Sequence, residues 1–95
     1  MTGKSELEPG SVVRRRMEAR VRKYRGKLYV AVQDQALELD EIAEAIFRRI
    51  NGTSTLREIG ASLAEEYGIP ADVALADVTD FVEQLRGHGV VESGA

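Results

Sequence analysis

The chain has no cysteine and no tryptophan, one histidine and two prolines in 95 residues. Without thiols there can be no disulfide, no thiol nucleophile, no cysteine-bound iron–sulfur cluster and no cysteine-ligated zinc site. One histidine offers no histidine pair for a metal. Flanked by Gly87 and Gly89 just past a helix end, His88 suits an interaction with that helix's last carbonyls better than a role as a base. Ser54 and Ser62 lack a neighbouring base and a Gly-x-Ser-x-Gly elbow. No apolar run approaches the roughly 18–20 residues of a membrane span, and the N-terminus has no signal-peptide core. These absences predict a non-catalytic, cytoplasmic protein with no cofactor, no metal and no membrane partner.

What is present is ordinary globular chemistry, 43% hydrophobic and 31% charged, enough for one small domain. The charge is unevenly spread. Up to Lys27 there are nine basic residues against three acids; beyond it, four against thirteen. The two parts carry +6 and −9 and leave the net −3. Met1 to Val13 has no periodicity and contains Gly3, Pro9 and Gly10, so residues 1–13 read as a flexible arm preceding a single domain at 14–95. Arg14-Arg15-Arg16 reads as a solvated segment.

Three strands follow. Ala19, Val21 and Lys23 alternate with Glu18, Arg20 and Arg22; Lys27 to Val32 is rich in strand formers; Leu37 and Leu39 share a face at period two. Turns are expected at Arg25-Gly26 and Gln33-Asp34. The period then becomes helical. Leu39, Ile42, Ala43, Ile46, Phe47 and Ile50 form one stripe behind an Asp40 N-cap, with a stop at Asn51-Gly52. Thr55-Leu56-Arg57-Glu58 has capping-box spacing, and its helix carries Leu56, Ile59, Leu63 and Tyr67 to Gly68. Pro70 opens a third helix with the stripe Ala74, Val78, Phe81, Val82 and Leu85, and Val90-Val91 packs behind it. The pattern predicts an α+β, winged-helix-like domain: a three-stranded antiparallel sheet followed by three helices.

A winged helix invites a nucleic-acid reading, but the third helix carries −3 from Ala71 to Arg86 and the second −2 from Thr55 to Tyr67. Phosphate would repel both. An acyl-carrier role needs an Asp-Ser-Leu helix start, which Ala61-Ser62-Leu63 is not. A binding module remains. The free edge of a three-stranded sheet is a template for an incoming extended peptide. That assigns binding to the main chain of Ala36, Leu37, Glu38 and Leu39, with the third helix as a wall presenting Leu75, Thr79, Val82 and Arg86. Leu75 and Val82 equally suit a widened core face. A self-pairing edge, giving a homodimeric interaction domain, is the alternative, as is a winged-helix DNA-binding regulator.

Leu37-Glu38-Leu39-Asp40-Glu41-Ile42-Ala43-Glu44-Ala45-Ile46-Phe47 resembles the Leu-x-Leu-Asn-x-x-Ala-x-x-Ile-Leu signature of PqqD-like proteins. Asn51-Gly52-Thr53-Ser54-Thr55-Leu56-Arg57-Glu58-Ile59 is similar to that family's Asp-Gly-x-x-Thr-x-x-Glu-Ile. Leu63 to Tyr67, Asp77-Val78, Phe81 to Leu85 and Gly89-Val90-Val91 follow in the family's order. The resemblance implies a precursor-peptide recognition element of ribosomally made, modified peptides. Such a module, a monomer or weak dimer, takes the leader segment as an added strand beside the third strand, against the third helix. It then delivers the leader to a separate modifying enzyme, a lasso-peptide leader peptidase or a radical SAM enzyme. Members serving the quinone cofactor PQQ usually show Arg-Pro near the start and a Pro-Glu turn before the third strand. Here the turn is Gln33-Asp34 and no proline lies between Pro9 and Pro70, which points to a relative serving another peptide. Arg14 to Lys27, eight basic residues and one acid, would complement an acidic leader or an acidic patch on the enzyme, or simply solubilise the first strand.

Overall fold

The computed structural model describes residues 7–33 and 35–93. The chain order is β1 (Val13–Arg15), β2 (Arg20–Tyr24), β3 (Lys27–Val32), β4 (Gln35–Leu39), α1 (Glu41–Arg48), α2 (Leu56–Tyr67), α3 (Ala71–Gly87) and β5 (Val91–Ser93). β2, β3 and β4 are the three predicted strands and form an antiparallel sheet in sequence order. Arg25 and Gly26 both have positive φ, 53° and 80°, the pair of values that lets a two-residue turn follow the twist of its strands. Of the second predicted turn, Gln33 has φ 57°; Asp34 lies outside the described residues.

The helix signals act where the sequence places them. Asp40 Oδ1 accepts from the Ala43 N–H at 2.8 Å. Thr55 and Glu58 exchange both bonds of a capping box. Gly68 closes α2 in the left-handed region at φ 66°. α1 ends at Arg48, three residues before the expected Asn51-Gly52 stop. The core gathers Val30 and Leu39 from the sheet, Ile46 and Phe47 from α1, Leu56, Ile59 and Leu63 from α2, and Val78, Val82 and Leu85 from α3.

Two expectations are corrected here. The described part of the N-terminal segment, Leu7 to Val13, is packed onto the domain; Met1 to Glu6 lie outside the described residues. Leu7 and Val13 are buried, Leu56 N–H donates to Ser11 O at 2.9 Å, and Arg57 N–H donates to Pro9 O at 2.9 Å. α2's first turn has backbone donors without intrahelical partners, and this segment supplies acceptors for two of them. Arg14-Arg15-Arg16 is exposed, as expected, but it is held in place by partners. β1 pairs antiparallel with β5, Arg14 opposite Glu92, and the Arg14 Nε–Glu92 Oε2 distance is 2.8 Å. The Arg15 guanidinium lies 4.1 Å from the Phe47 ring centroid and donates to Phe47 O at 2.9 Å. Arg16 N–H donates to Val90 O. Val90-Val91, expected as a packed tail, is buried and leads the second strand of this small sheet.

Candidate functional site

β4 is an edge strand. Its register against β3 pairs Val32 with Gln35, Val30 with Leu37 and Leu28 with Leu39. In β2–β3 the turn-closing pair is Tyr24–Lys27, followed by Arg22–Tyr29 and Arg20–Ala31. An antiparallel ladder alternates hydrogen-bonded and non-bonded pairs. The closing pair is bonded, so β3 turns Lys27, Tyr29 and Ala31 toward β2, and Leu28, Val30 and Val32 toward β4. That leaves the backbone N–H and C=O groups of Ala36 and Glu38 directed off the free edge. Leu37 is half-buried and Leu39 buried on the helix side, while the side chains of Ala36 and Glu38 are exposed. Of the stretch Ala36 to Leu39, Ala36 and Glu38 thus face off the free edge, and Leu37 and Leu39 face β3.

A groove lies beside this edge. Glu38 and Asp40 form one wall, Ile42, Ala43 and Ile46 of α1 form its floor, and Asp77, Asp80, Phe81 and Gln84 of α3 form the other wall, around a cavity of about 340 Å³. At the start of β4 a second cavity, about 380 Å³, is lined by Arg16, Glu18, Val32, Gln33, Gln35 and the Gly87-His88-Gly89 turn. There His88 Nδ1 lies 3.0 Å from Gln35 Oε1. The His88 side chain therefore crosses to the sheet, and only its backbone N–H, donating to Gln84 O at 3.1 Å, serves the helix end. Arg16 Nε is 3.3 Å from Glu18 Oε1. The Glu18 carboxyl is held below the usual carboxylate range, first by its own backbone N–H and then by Arg16.

The residues expected as a wall on α3 do not line this groove. Leu75, Thr79, Val82 and Arg86 lie on the side opposite Asp77, Asp80 and Gln84 at 100° per residue. Leu75 packs on α2: a Cβ placed on Gly60 would stand 3.1 Å from the Leu75 Cα. Val82 is fully buried. Thr79 Oγ1 donates back to Leu75 O at 2.8 Å, and Arg86 is half-buried. The ambiguity was genuine, because both flanks border the same apolar stripe. The missed signal was Phe81, counted only as core although it is half-buried and faces the groove.

The basic residues do not line the acidic end of the groove. Arg20, Arg22 and Tyr24 alternate with Val21 and Lys23, placing them with Tyr29 on the sheet face away from the helices. Tyr24 and Tyr29 meet edge to face at 6.5 Å, and Arg25 covers the Tyr24 ring. Lys23 reaches Glu44 at 3.1 Å. Among the described residues, no group of three or more histidine, aspartate or glutamate side chains is placed to hold a metal ion, and no helix is long and apolar enough to cross a membrane.

A short antiparallel sheet whose β4 edge lies open beside the last of three helices defines the α+β class of the PqqD structures. The solution NMR structure of the PqqD truncation of Methylobacterium extorquens PqqCD, described as a stand-alone recognition element for ribosomally synthesized and post-translationally modified peptides, superposes with a TM-score of 0.78. It is 23% identical, and the match covers 90% of this chain and 94% of that one. The crystal structure of PqqD from Xanthomonas campestris gives a TM-score of 0.55 at 27% identity, covering 76% and 82%. A PqqA binding protein of Rhizobium meliloti is 31% identical over 68 residues, 72% of this chain and 69% of its own length. The family model for coenzyme PQQ synthesis protein D matches residues 14–91, and the chain belongs to the PqqD family. Its lack of a Pro-Glu turn, which pointed toward relatives serving other peptides, does not separate it from these PQQ-pathway proteins.

Proposed function

We propose that this protein binds an extended leader segment of a ribosomal precursor peptide as a fourth strand on β4 and presents it to a separate modifying enzyme. The observation that carries this reading is the open edge at Ala36 and Glu38 beside the groove on α3. An added strand gains main-chain bonds along the edge, while every second side chain drops toward Ile42, Ile46 and Phe81. The Rhizobium meliloti relative, a PqqA binding protein, makes a PqqA-type peptide the first ligand to try. A leader peptidase or a radical SAM enzyme is the corresponding partner. The protein adds recognition to the reaction and leaves the chemistry to that partner.

The test is a titration of the labelled protein with Rhizobium meliloti PqqA and with synthetic peptides from the short open reading frames beside this protein's own gene. Amide shifts concentrated at Ala36, Glu38 and Phe81 are expected. Ala36→Pro is the decisive variant. Its N–H faces off the edge, so a proline there leaves the β3 ladder intact and removes one donor to the peptide. A folded Ala36→Pro protein that binds a cognate peptide as tightly as the parent would overturn strand addition.

A further inference from the structure

The two cavities beside β4 differ chemically. The one near the start of β4 carries Gln35, His88 and the Arg16–Glu18 pair. Near the end of β4 three carboxylates, Asp40, Asp77 and Asp80, rim an apolar floor of Ile42, Ala43, Ile46 and Phe81, while Glu38 contributes the strand edge, its side chain lying with Tyr29 on the other face of the sheet. Lys27 sits 3.2 Å from Glu38, and Asp40 is occupied as the cap of α1. Asp77 and Asp80 occupy exposed positions of α3 facing β4 and make no ion pair or hydrogen bond among the described residues. Among the described residues, three acids and no basic residue therefore line the place where an added strand would lay its inward side chains.

Resting on the strand-addition reading, we propose that this end of the groove selects a lysine or arginine of the incoming peptide. A long basic side chain suits both parts of the site. Its methylene stem lies on Ile42, Ile46 and Phe81, and its head reaches the rim carboxylates. A glutamate at the same peptide position would bring a fourth carboxylate into the cluster, and that contrast makes the site selective. Inward positions recur every second residue, roughly 6.6 Å apart along a strand. The basic residue is thus confined to the peptide position beside Glu38, while inward positions nearer His88 carry no such preference.

The experiment pans random displayed dodecapeptides against the whole protein and against Asp77→Asn/Asp80→Asn, with amide shifts locating each enriched sequence. The expected result is a set that shifts Ala36, Glu38 and Phe81 and shares lysine or arginine at one fixed position. Changing that residue to glutamate weakens binding about tenfold or more, as two rim ion pairs of a few-fold each would give. The preference is lost in the double variant, whose substitutions are on the surface. Binders that shift β4 and α3 without a basic preference, or with one the double variant retains, overturn this inference and leave strand addition standing. A selection in which no binder reaches β4 overturns strand addition itself, and this inference with it.

Discussion

His88 Nδ1 lies 3.0 Å from Gln35 Oε1, joining the turn after α3 to the first residue of β4 across 53 positions of sequence. The contact ties the two walls of the groove together at one end. At the other end no side-chain bond between β4 and α3 is seen among the described residues, and the walls are spaced by Ile42, Ile46 and Phe81.

His88→Ala removes this tie at an exposed site, so the expected loss of stability is small, about 0.5 kcal/mol. Its effect on the groove is larger in kind. Amide shifts and exchange broadening should appear in Gln35, Ala36 and residues 84–89, with α1 and α2 unchanged. Hydrogen exchange of β4 measures the same loosening independently, and unchanged β4 exchange would show that the bond does not hold the edge.

Gly60 sets how close α2 comes to α3, because the Leu75 backbone passes where a side chain would begin. Gly60→Val forces the helices apart and should cost about 1–3 kcal/mol. Gly60→Ala places its Cβ 3.1 Å from the Leu75 Cα, and better helix propensity offsets part of that crowding. Urea unfolding of the two variants should therefore separate clearly, with Val well below Ala. If α3 is driven toward β4, peptide affinity falls in Gly60→Val as well.

Leu7 belongs to the core cluster although it precedes every strand. Leu7→Ala should cost about 2 kcal/mol through lost burial. Deleting residues 1–11 should cost more, because Leu56 and Arg57 then lose their acceptors at Pro9 and Ser11. Denaturant midpoints check both. A truncated protein as stable as the full chain would mean that this segment contributes nothing to folding.

Local chemistry explains most of what the sequence made legible. The Asp40 cap, the Thr55–Glu58 box, Gly68 and the Arg25-Gly26 turn act within three or four residues, so their consequences are present in the chain itself. The alternation at Leu37 and Leu39 placed an edge strand because each residue there answers to only two faces. The early stop of α1 lay beyond such reasoning, since Arg49 leaves the helical ladder to reach Ser62 and Glu66 on α2.

By itself, then, the sequence determined the three central strands, the three helices and the exclusion of cysteine chemistry. Tertiary structure alone decided the rest. It turned Arg14 and Arg15 into part of a strand paired with β5, because Val13 and Val91 each needed a buried face that neither short segment could make alone. It also chose the flank of α3 that faces β4. Periodicity fixes which residues share a stripe but not how the helix is rolled, and here the close approach of Gly60 to Leu75 fixes the roll. The same packing turns Asp77 and Asp80 toward the open edge and gives the groove its charge.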